Sequence, residues 1–434
     1  MYNRVSMKKH LEAIDPNPHL VDRHQNFWHL AVIQGASFGV PALTIMGSLS
    51  DTYGAGTTFN SICIGNLILW IIGLATVAMA FSERKNAIQN LIDYIGKPGS
   101  ILGGLVLLLA FLFWYSLQLR GTMSAMSGAL QQQVSVQNGF DIRVGTALGL
   151  FVALLSLGGI RLIRWTAVVA FPFLMAFLLY ALFMKSQFPV FKGTWGISIH
   201  AIAVVIATPL PGVVNLPTFF RHSRSRAHAF FALTLLTIFI ICIEGAGILL
   251  GSGLPKMDLI FAYLSFDFTN LIITILFILM SLVCINLVNI YFVSAAWAAM
   301  LPRIGGAKEF AIVGMVGTIA FTFFQARDPL YFIENVLDGF IACLGITILM
   351  AYLVRRIVNH RERGFEKLIS GLCWLIGCIT VVYMQSWTSL QSSIVFFSGI
   401  GASGLAFLLF IFVEETIWSF MNCVSPTHKL ASKK

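Results

Sequence analysis

The sequence predicts an all-α polytopic membrane protein with about 12 transmembrane helices. Of its 434 residues, 58% are hydrophobic and 11% are charged, whereas a soluble domain carries roughly 25% charged residues. Apolar stretches long enough to cross a bilayer, about 20 residues, recur along the whole chain. Helices are the favoured element because a helix satisfies its own backbone hydrogen bonds in lipid.

Twelve segments are long and apolar enough to be transmembrane spans, and we number them in chain order. The predicted spans 1 to 12 lie at residues 28–48, 57–81, 101–125, 144–160, 165–184, 198–220, 228–251, 270–298, 309–325, 329–353, 368–386 and 392–420.

The distribution of Lys and Arg supports this count and predicts an orientation. With a cytoplasmic N-terminus, 22 of the 28 basic residues fall in segments on the cytoplasmic side, where positive charge is enriched in membrane proteins. Both termini are therefore predicted to be cytoplasmic, in an inner or plasma membrane. The same bias explains the net charge of +10, so no nucleic-acid partner is expected.

Two spans are interrupted by glycine and proline. Span 1 carries the run from Gln34 to Pro41, and span 6 carries the run from Ala207 to Gly212. Proline and glycine both weaken a helix interior. The two interruptions lie about 170 residues, or five spans, apart, and an odd number of spans reverses orientation. This pattern predicts an inverted repeat whose discontinuous helices frame a binding site at the membrane midplane.

The chain divides accordingly into five parts. They are a cytoplasmic N-terminal segment at 1–27, a first repeat at 28–184 (spans 1–5), a second repeat at 198–353 (spans 6–10), two additional spans at 368–420 and a cytoplasmic tail at 421–434.

Polar residues inside the spans are the candidates for binding. Trp114 and Gln118 share one face of span 3 at a spacing of four, where a ring can stack and an amide can read its edge. Asn286 and Asn289 lie in the apolar span 8. The alternative for both pairs is a structural role in helix packing.

Acidic residues inside the spans are costly in lipid and are therefore expected to be functional or paired. Span 10 contains Glu334 and Asp338 on one helical face, and span 7 contains Glu244. Glu414 and Glu415 lie late in span 12, outside the ten-span core, and are expected to be peripheral.

Catalytic motifs are absent from the sequence. It contains no H-E-x-x-H and no phosphate-binding G-x-x-x-x-G-K, and its one G-x-S-x-G match, Gly35 to Gly39, lies within an apolar span and not on the strand-to-helix turn of a nucleophile elbow. We therefore expect no enzyme, no catalytic residue, and no ATP-driven transport by this chain alone.

Three segments resemble the nucleobase:cation symporter-1 family, particularly the cytosine permeases. They are the region from Gln34 to Leu69, with Ile64-Gly65-Asn66 near its end, Trp114 in span 3, and Asn215-Leu216-Pro217-Thr218-Phe219-Phe220-Arg221 after the second interruption. The resemblance covers roughly 28–356. It implies a leucine-transporter-like fold of the amino acid–polyamine–organocation superfamily, with ten core helices in two inverted repeats and two extra helices.

The resemblance also implies roles for particular residues. A planar base would stack on Trp114 and be bound by Gln118, by polar residues of span 8 and by the interrupted helices. The implied substrate-binding residues are Trp114, Gln118, Gln34, Thr208, Pro209, Asn286 and Asn289. A cation, the only metal ion expected, would be bound near Gly35, Phe38 and Asn286.

The sequence departs from the family pattern at two places. Pro209 stands where cytosine permease has a second aromatic residue, and span 8 lacks the Ser/Thr hydroxyls of sodium-coupled relatives around Ile285-Asn286. Proton coupling through Glu334 or Asp338 is therefore an alternative to sodium. Apart from the coupling Na⁺ or H⁺, no cofactor is expected.

These features predict a secondary active transporter that takes up a nucleobase or a related flat heterocycle by cation-coupled alternating access. The expected partners are this small molecule, the coupling cation and the lipid bilayer. Two alternatives remain open: an amino acid or amine transporter of the same fold, and a membrane receptor or enzyme that uses the same cavity.

Overall fold

The computed structural model describes residues 25–131, 139–184, 195–251, 254, 257–300, 307–324, 330–357, 366–387 and 392–424. Within these residues every regular element is a helix, apart from an isolated bridge between Gln25 and Ser223. The all-α prediction is confirmed.

The helices follow the order of the predicted spans. Their bounds are Phe27–Gly35 and Val40–Tyr53 for span 1, Ala55–Glu83 for span 2, Ala87–Gln131 for span 3, Phe140–Leu155 for span 4, Gly159–Met184 for span 5, Ile199–Ala207, Leu210–Val214 and Leu216–Phe220 for span 6, Arg226–Gly251 for span 7, Phe268–Met300 for span 8, Ala307–Phe324 for span 9, Leu330–Ile357 for span 10, Glu366–Trp387 for span 11 and Ser392–Val424 for span 12.

Length and composition identify a multi-pass membrane protein. Among the described residues, eight helices are long and apolar enough to cross a bilayer, or nine when the bent pair of span 1 is included. Phe140–Met184 counts once but contains spans 4 and 5, while span 6 is divided into short helices and span 9 is apolar only over Glu309–Phe323. The helix order is thus compatible with twelve spans.

Span 1 bends by 63° between its two helices. The first helix ends at Gly35, and the hydroxyl of Ser37 donates to the carbonyl oxygen of Gln34 at 2.6 Å. The second helix begins at Val40, whose N–H donates to Ser281 Oγ of span 8 at 3.2 Å. Pro41 occupies the first turn, where its missing N–H costs no helical hydrogen bond. The predicted interruption is confirmed.

Span 6 is interrupted at Thr208–Pro209, as predicted, and a second time at Asn215. Proline stands near the start of each following helix, as Pro211 and Pro217. Because proline has no N–H and fixes φ, it is suited to the first turn and disrupts a continuing helix. Each short helix therefore starts at its own proline.

Three features differ from the predicted boundaries. Span 3 begins earlier, at Ala87, with a kink at Gly96, where φ is 75°. Spans 4 and 5 join through a 3₁₀ turn at Ser156–Gly158, which shortens the expected loop because Gly159 has a φ of 59°. A short helix, Met257–Leu264, lies between spans 7 and 8. The two positive φ values favour glycine, which explains why the chain turns there.

The two helices of span 1 pack against span 7, and span 3 packs along span 8. Many large apolar side chains of the other faces are exposed, such as Phe183, Leu154 and Phe412. An exposed apolar surface of this kind suits contact with lipid. The interrupted parts of spans 1 and 6 are thereby held inside the bundle.

Candidate functional site

A cavity of about 100 Å³ lies where the interruptions of spans 1 and 6 meet spans 3, 7 and 8. The side chains that line it come from these five spans. They are Gln34, Ser37, Phe38, Gly39, Pro41, Ala42, Ile45 and Met46 of span 1, Phe111, Trp114 and Gln118 of span 3, Thr208, Pro209, Pro211 and Gly212 of span 6, Glu244 of span 7, and Ile285, Val288, Asn289 and Phe292 of span 8.

The span 3 wall of the cavity is aromatic. Trp114 lies one helical turn before Gln118, and both residues line the cavity. The rings of Phe111 and Phe292 are 4.7 Å apart with an interplanar angle of 34°. Aromatic side chains offer a flat apolar surface, and an adjacent amide can bond the polar edge of a ring.

Asp338 of span 10 accepts a hydrogen bond from Trp114 Nε1, with 3.2 Å between Nε1 and Oδ1. Asp338 is buried and does not line the cavity. The bond ties the indole to a residue 224 positions away. It fixes the rotation of the ring, which makes Asp338 a positioning residue for Trp114.

This contact gives a testable prediction. Asp338→Leu removes the acceptor and frees the indole, so we expect ligand affinity to fall about 2- to 10-fold, the range for one hydrogen bond. Asp338→Asn keeps a carbonyl oxygen for the same bond and should lose less. Ligand titrations followed by tryptophan fluorescence measure both variants. Equal losses in the two variants would contradict a positioning role through this bond.

Three amides lie close to the interruption of span 1 or in span 8. The Nε2 atom of Gln34 is buried without a hydrogen-bond partner among the described residues, and Gln34 lines the cavity. An unpaired buried donor of this kind costs about 1 to 3 kcal/mol. Asn289 also lines the cavity and donates from Nδ2 to Asn286 Oδ1 at 3.2 Å. Asn286 is fully buried behind it.

The contribution of span 6 comes from Thr208 and Pro209, which both line the cavity. The hydroxyl of Thr208 donates to the carbonyl oxygen of Val204 at 2.9 Å, so its oxygen remains as an acceptor. Pro209 presents a ring without π electrons. The aromatic surface of the cavity is therefore supplied by spans 1, 3 and 8.

The residues expected to bind a cation are not all brought to the cavity. Phe38 lines it, whereas Gly35 and Asn286 do not. The carbonyl oxygen of Gly35 accepts the N–H of Phe38 at 3.1 Å within a turn. Within the described residues, no group of three or more His, Cys, Asp or Glu side chains is arranged to hold a metal ion.

The structure describes the side chain of only one of the two acids predicted for proton coupling. Asp338 lies behind Trp114, as described above. Glu334 belongs to the first turns of span 10, and its side chain lies outside the described residues. Its role stays a prediction.

Among the described residues that line the cavity, Glu244 is the one with an ionisable side chain. From the sequence the role of this acid in span 7 was ambiguous. The structure supplies its neighbour: Asn66 of span 2 donates from Nδ2 to Glu244 Oε2 at 2.6 Å. Asn66 lies in the segment that carries the family resemblance. This resemblance is the sequence feature that could have pointed to the pair of Asn66 and Glu244.

Solved transporters have a similar structure along nearly the whole chain. Mhp1, a nucleobase-cation-symport-1 family transporter, in a closed conformation with bromovinylhydantoin bound, superposes with a TM-score of 0.68 at 17% identity, over 93% of this chain and 96% of Mhp1. The chain has the fold of this transporter. A Na⁺-coupled sialic acid symporter gives a TM-score of 0.64 at 11% identity, over 94% of this chain and 96% of the symporter. MhsT in complex with L-phenylalanine gives 0.58 at 12% identity, over 89% and 98%.

These structures confirm the predicted fold class and include a member of the family that the sequence motifs resemble. No protein-family model matches the sequence, and no curated protein does. The likeness is therefore one of fold.

Proposed function

We propose that this protein is a secondary active transporter that takes up a nucleobase or a related flat heterocycle by cation-coupled alternating access. The observation that carries the proposal is the cavity at the two helix interruptions, with Trp114 and Gln118 on one wall and the unpaired amide of Gln34 on another. An apolar cavity with a few convergent polar groups is the usual form of a small-molecule site. All the similar structures named above are of transporters, in agreement with the expectation of no enzyme.

The ring of the ligand would stack on Trp114, and its edge would be bound by amides. Gln34, Gln118 and Asn289 each have a donor and an acceptor, and all three line the cavity. A lactam edge has the complementary acceptor and donor. Pro209, which also lines the cavity, replaces an aromatic partner on the span 6 side, so one face of the ring would meet an aliphatic surface.

The alternative cargo is an amino acid, whose carboxylate would need backbone N–H groups at a half-helix N-terminus. In the second helix of span 1, the N–H of Val40 is already bonded to Ser281 Oγ and Pro41 has none. Ala42 is left as the one amide of this first turn without a described partner. This arrangement favours a neutral heterocycle over a carboxylate.

Thermal-shift measurements on the detergent-purified protein test the cargo. A ligand that binds only the folded state raises the apparent stability, by about 2.7 kcal/mol at 100 times its Kd. We expect stabilisation by nucleobases or hydantoins, and none by matched nucleosides or by amino acids, with each panel run with and without Na⁺. Stabilisation by amino acids alone would overturn the cargo and leave the fold intact.

Uptake into sealed proteoliposomes then separates a transporter from a receptor or an enzyme. We expect the stabilising base to accumulate inside when a cation gradient is imposed. Binding without entry would support a receptor, and conversion of the base would support an enzyme.

A further inference from the structure

Glu244 and Asn66 form a polar pair inside the membrane-embedded bundle. The amide of Asn66 donates to Glu244 Oε2 at 2.6 Å and to the carbonyl oxygen of Ile62 at 3.0 Å. Glu244 is 2% exposed and lines the candidate ligand cavity. The carboxyl group is thus fixed through one oxygen and shares its cavity with the proposed ligand.

An ionised carboxylate in this position has no counter-charge among the residues that the structure describes. Its one side-chain hydrogen bond among the described residues comes from a neutral amide, and the other described side chains that line the cavity are neutral. A charge at the centre of a bilayer costs several kcal/mol unless it is paired. Binding of a proton removes the charge and turns the carboxyl group into a hydrogen-bond donor.

Among the described residues, the helices packed against span 7 place no basic side chain beside Glu244. The thiol of Cys63 in span 2 interacts electrostatically with the carboxyl group of Glu244. The other ionisable groups lie towards the helix ends: His29 is close to Arg164 and Arg224, His228 contacts Phe27, and Tyr53 contacts His200. The remaining ionisable side chains that the structure describes on these helices are Asp51 of span 1, Arg161 and Tyr180 of span 5, and Arg226 and Cys242 of span 7 itself.

We propose that Glu244 is the proton-binding group that couples ligand uptake to the proton gradient. The inference rests on the proposed function, since it assigns the coupling ion of the same cavity. A proton from the outer solution binds a lone pair of the carboxylate, and ligand entry displaces water from the cavity. The loss of water raises the cost of the charged form, so proton and ligand bind together. On the cytoplasmic side water returns, the ligand leaves and the same proton is released.

The first test is a proton count on the wild-type protein. Proteoliposomes with an internal pH dye and no Na⁺ are given the base identified by thermal shift. We expect internal acidification in step with entry of the base. At one proton per base, a gradient of one pH unit drives about tenfold accumulation. Entry of the base without acidification, or entry only after Na⁺ is added, overturns the inference but not the proposed function, whereas absence of entry both with and without Na⁺ refutes the proposed function itself.

The second test locates the proton. Glu244→Gln keeps the shape and the bond from Asn66 but is permanently neutral. We expect this variant to exchange internal for external base and to lose accumulation, so that the inside-to-outside ratio stays at about one under the same pH gradient. Glu414→Gln in span 12 is the matched control and should accumulate like the wild type. Accumulation by Glu244→Gln equal to that of the control overturns the assignment.

Sodium and folding are controlled in the same preparation. Accumulation that follows an imposed Na⁺ gradient at equal pH on both sides contradicts a coupling proton. Cys63→Ser tests the neighbouring thiol and should retain proton coupling.

If Glu244→Gln does not fold, Glu244→Asp provides a second variant that keeps an ionisable group, and we expect it to retain acidification. A folded Glu244→Asp that transports the base without acidification opposes the proposal.

Discussion

Replacing Trp114 by alanine should weaken ligand binding by about 1 to 3 kcal/mol, which is roughly 5- to 150-fold in apparent affinity. The indole is the largest flat surface on the span 3 wall of the cavity, and its Nε1–H is held by Asp338 at 3.2 Å. The alanine variant loses the stacking surface. It also loses the benefit of a ring whose orientation the bond to Asp338 already fixes. Titration of purified protein with the stabilising base measures the loss directly.

Two further tryptophan variants make the result specific. Trp165→Ala removes an indole that is 61% exposed on span 5 and should leave ligand affinity unchanged. Trp114→Phe keeps an aromatic face but lacks the N–H that Asp338 accepts, so its affinity should lie between those of the wild type and the alanine variant. Normal binding by Trp114→Ala would remove the proposed stacking residue from the site.

Local sequence was sufficient to predict the interruptions and the span 3 face. Glycine and proline act on the helix that contains them, so the runs at Gln34–Pro41 and Ala207–Gly212 predicted breaks that the structure confirms. Trp114 and Gln118 are four residues apart, and a helix necessarily places such residues on one face. In each case the physical cause lies within a few residues.

Pairs joined across the bundle could not be predicted in this way. The bond from Trp114 to Asp338 spans 224 positions, and the bond from Asn66 to Glu244 spans 178. Each depends on how two helices rotate and approach each other, which hydropathy does not determine. Asn286 illustrates the same limit. The spacing of Asn286 and Asn289 leaves open which of them reaches the cavity, and the packing of span 8 selects Asn289.

The close approach of span 1 to span 7 is another tertiary feature, and it gives a prediction about stability. A methyl group added to Gly47 would lie 2.8 Å from the Cα atom of Gly251, and one added to Gly251 would lie 2.3 Å from the Cα atom of Gly47. Gly247 likewise meets the backbone of Leu43 at 3.0 Å. Span 7 carries these glycines four residues apart, a spacing that allows helices to touch backbone to backbone.

Gly47→Ala should therefore destabilise the protein by about 1 to 3 kcal/mol, the usual cost of overpacking. The clash is with a backbone atom of Gly251, so no side-chain rotation can relieve it and the helices must separate. Because the second helix of span 1 also lines the cavity through Ala42 and Met46, the same separation should weaken ligand binding. Thermal unfolding in detergent, with and without the stabilising base, measures both effects.

Gly245→Ala is the matched control on the partner helix, and its effect should have the opposite sign. A methyl group at this position meets nothing within 4 Å, and replacing glycine by alanine in a helix interior favours the helix by about 1 kcal/mol. We therefore expect the unfolding temperature to fall for Gly47→Ala and to stay level or rise for Gly245→Ala. If both substitutions lowered it equally, the loss would reflect helix glycines in general, and the contact between Gly47 and Gly251 would carry no special role in holding the interrupted span against span 7.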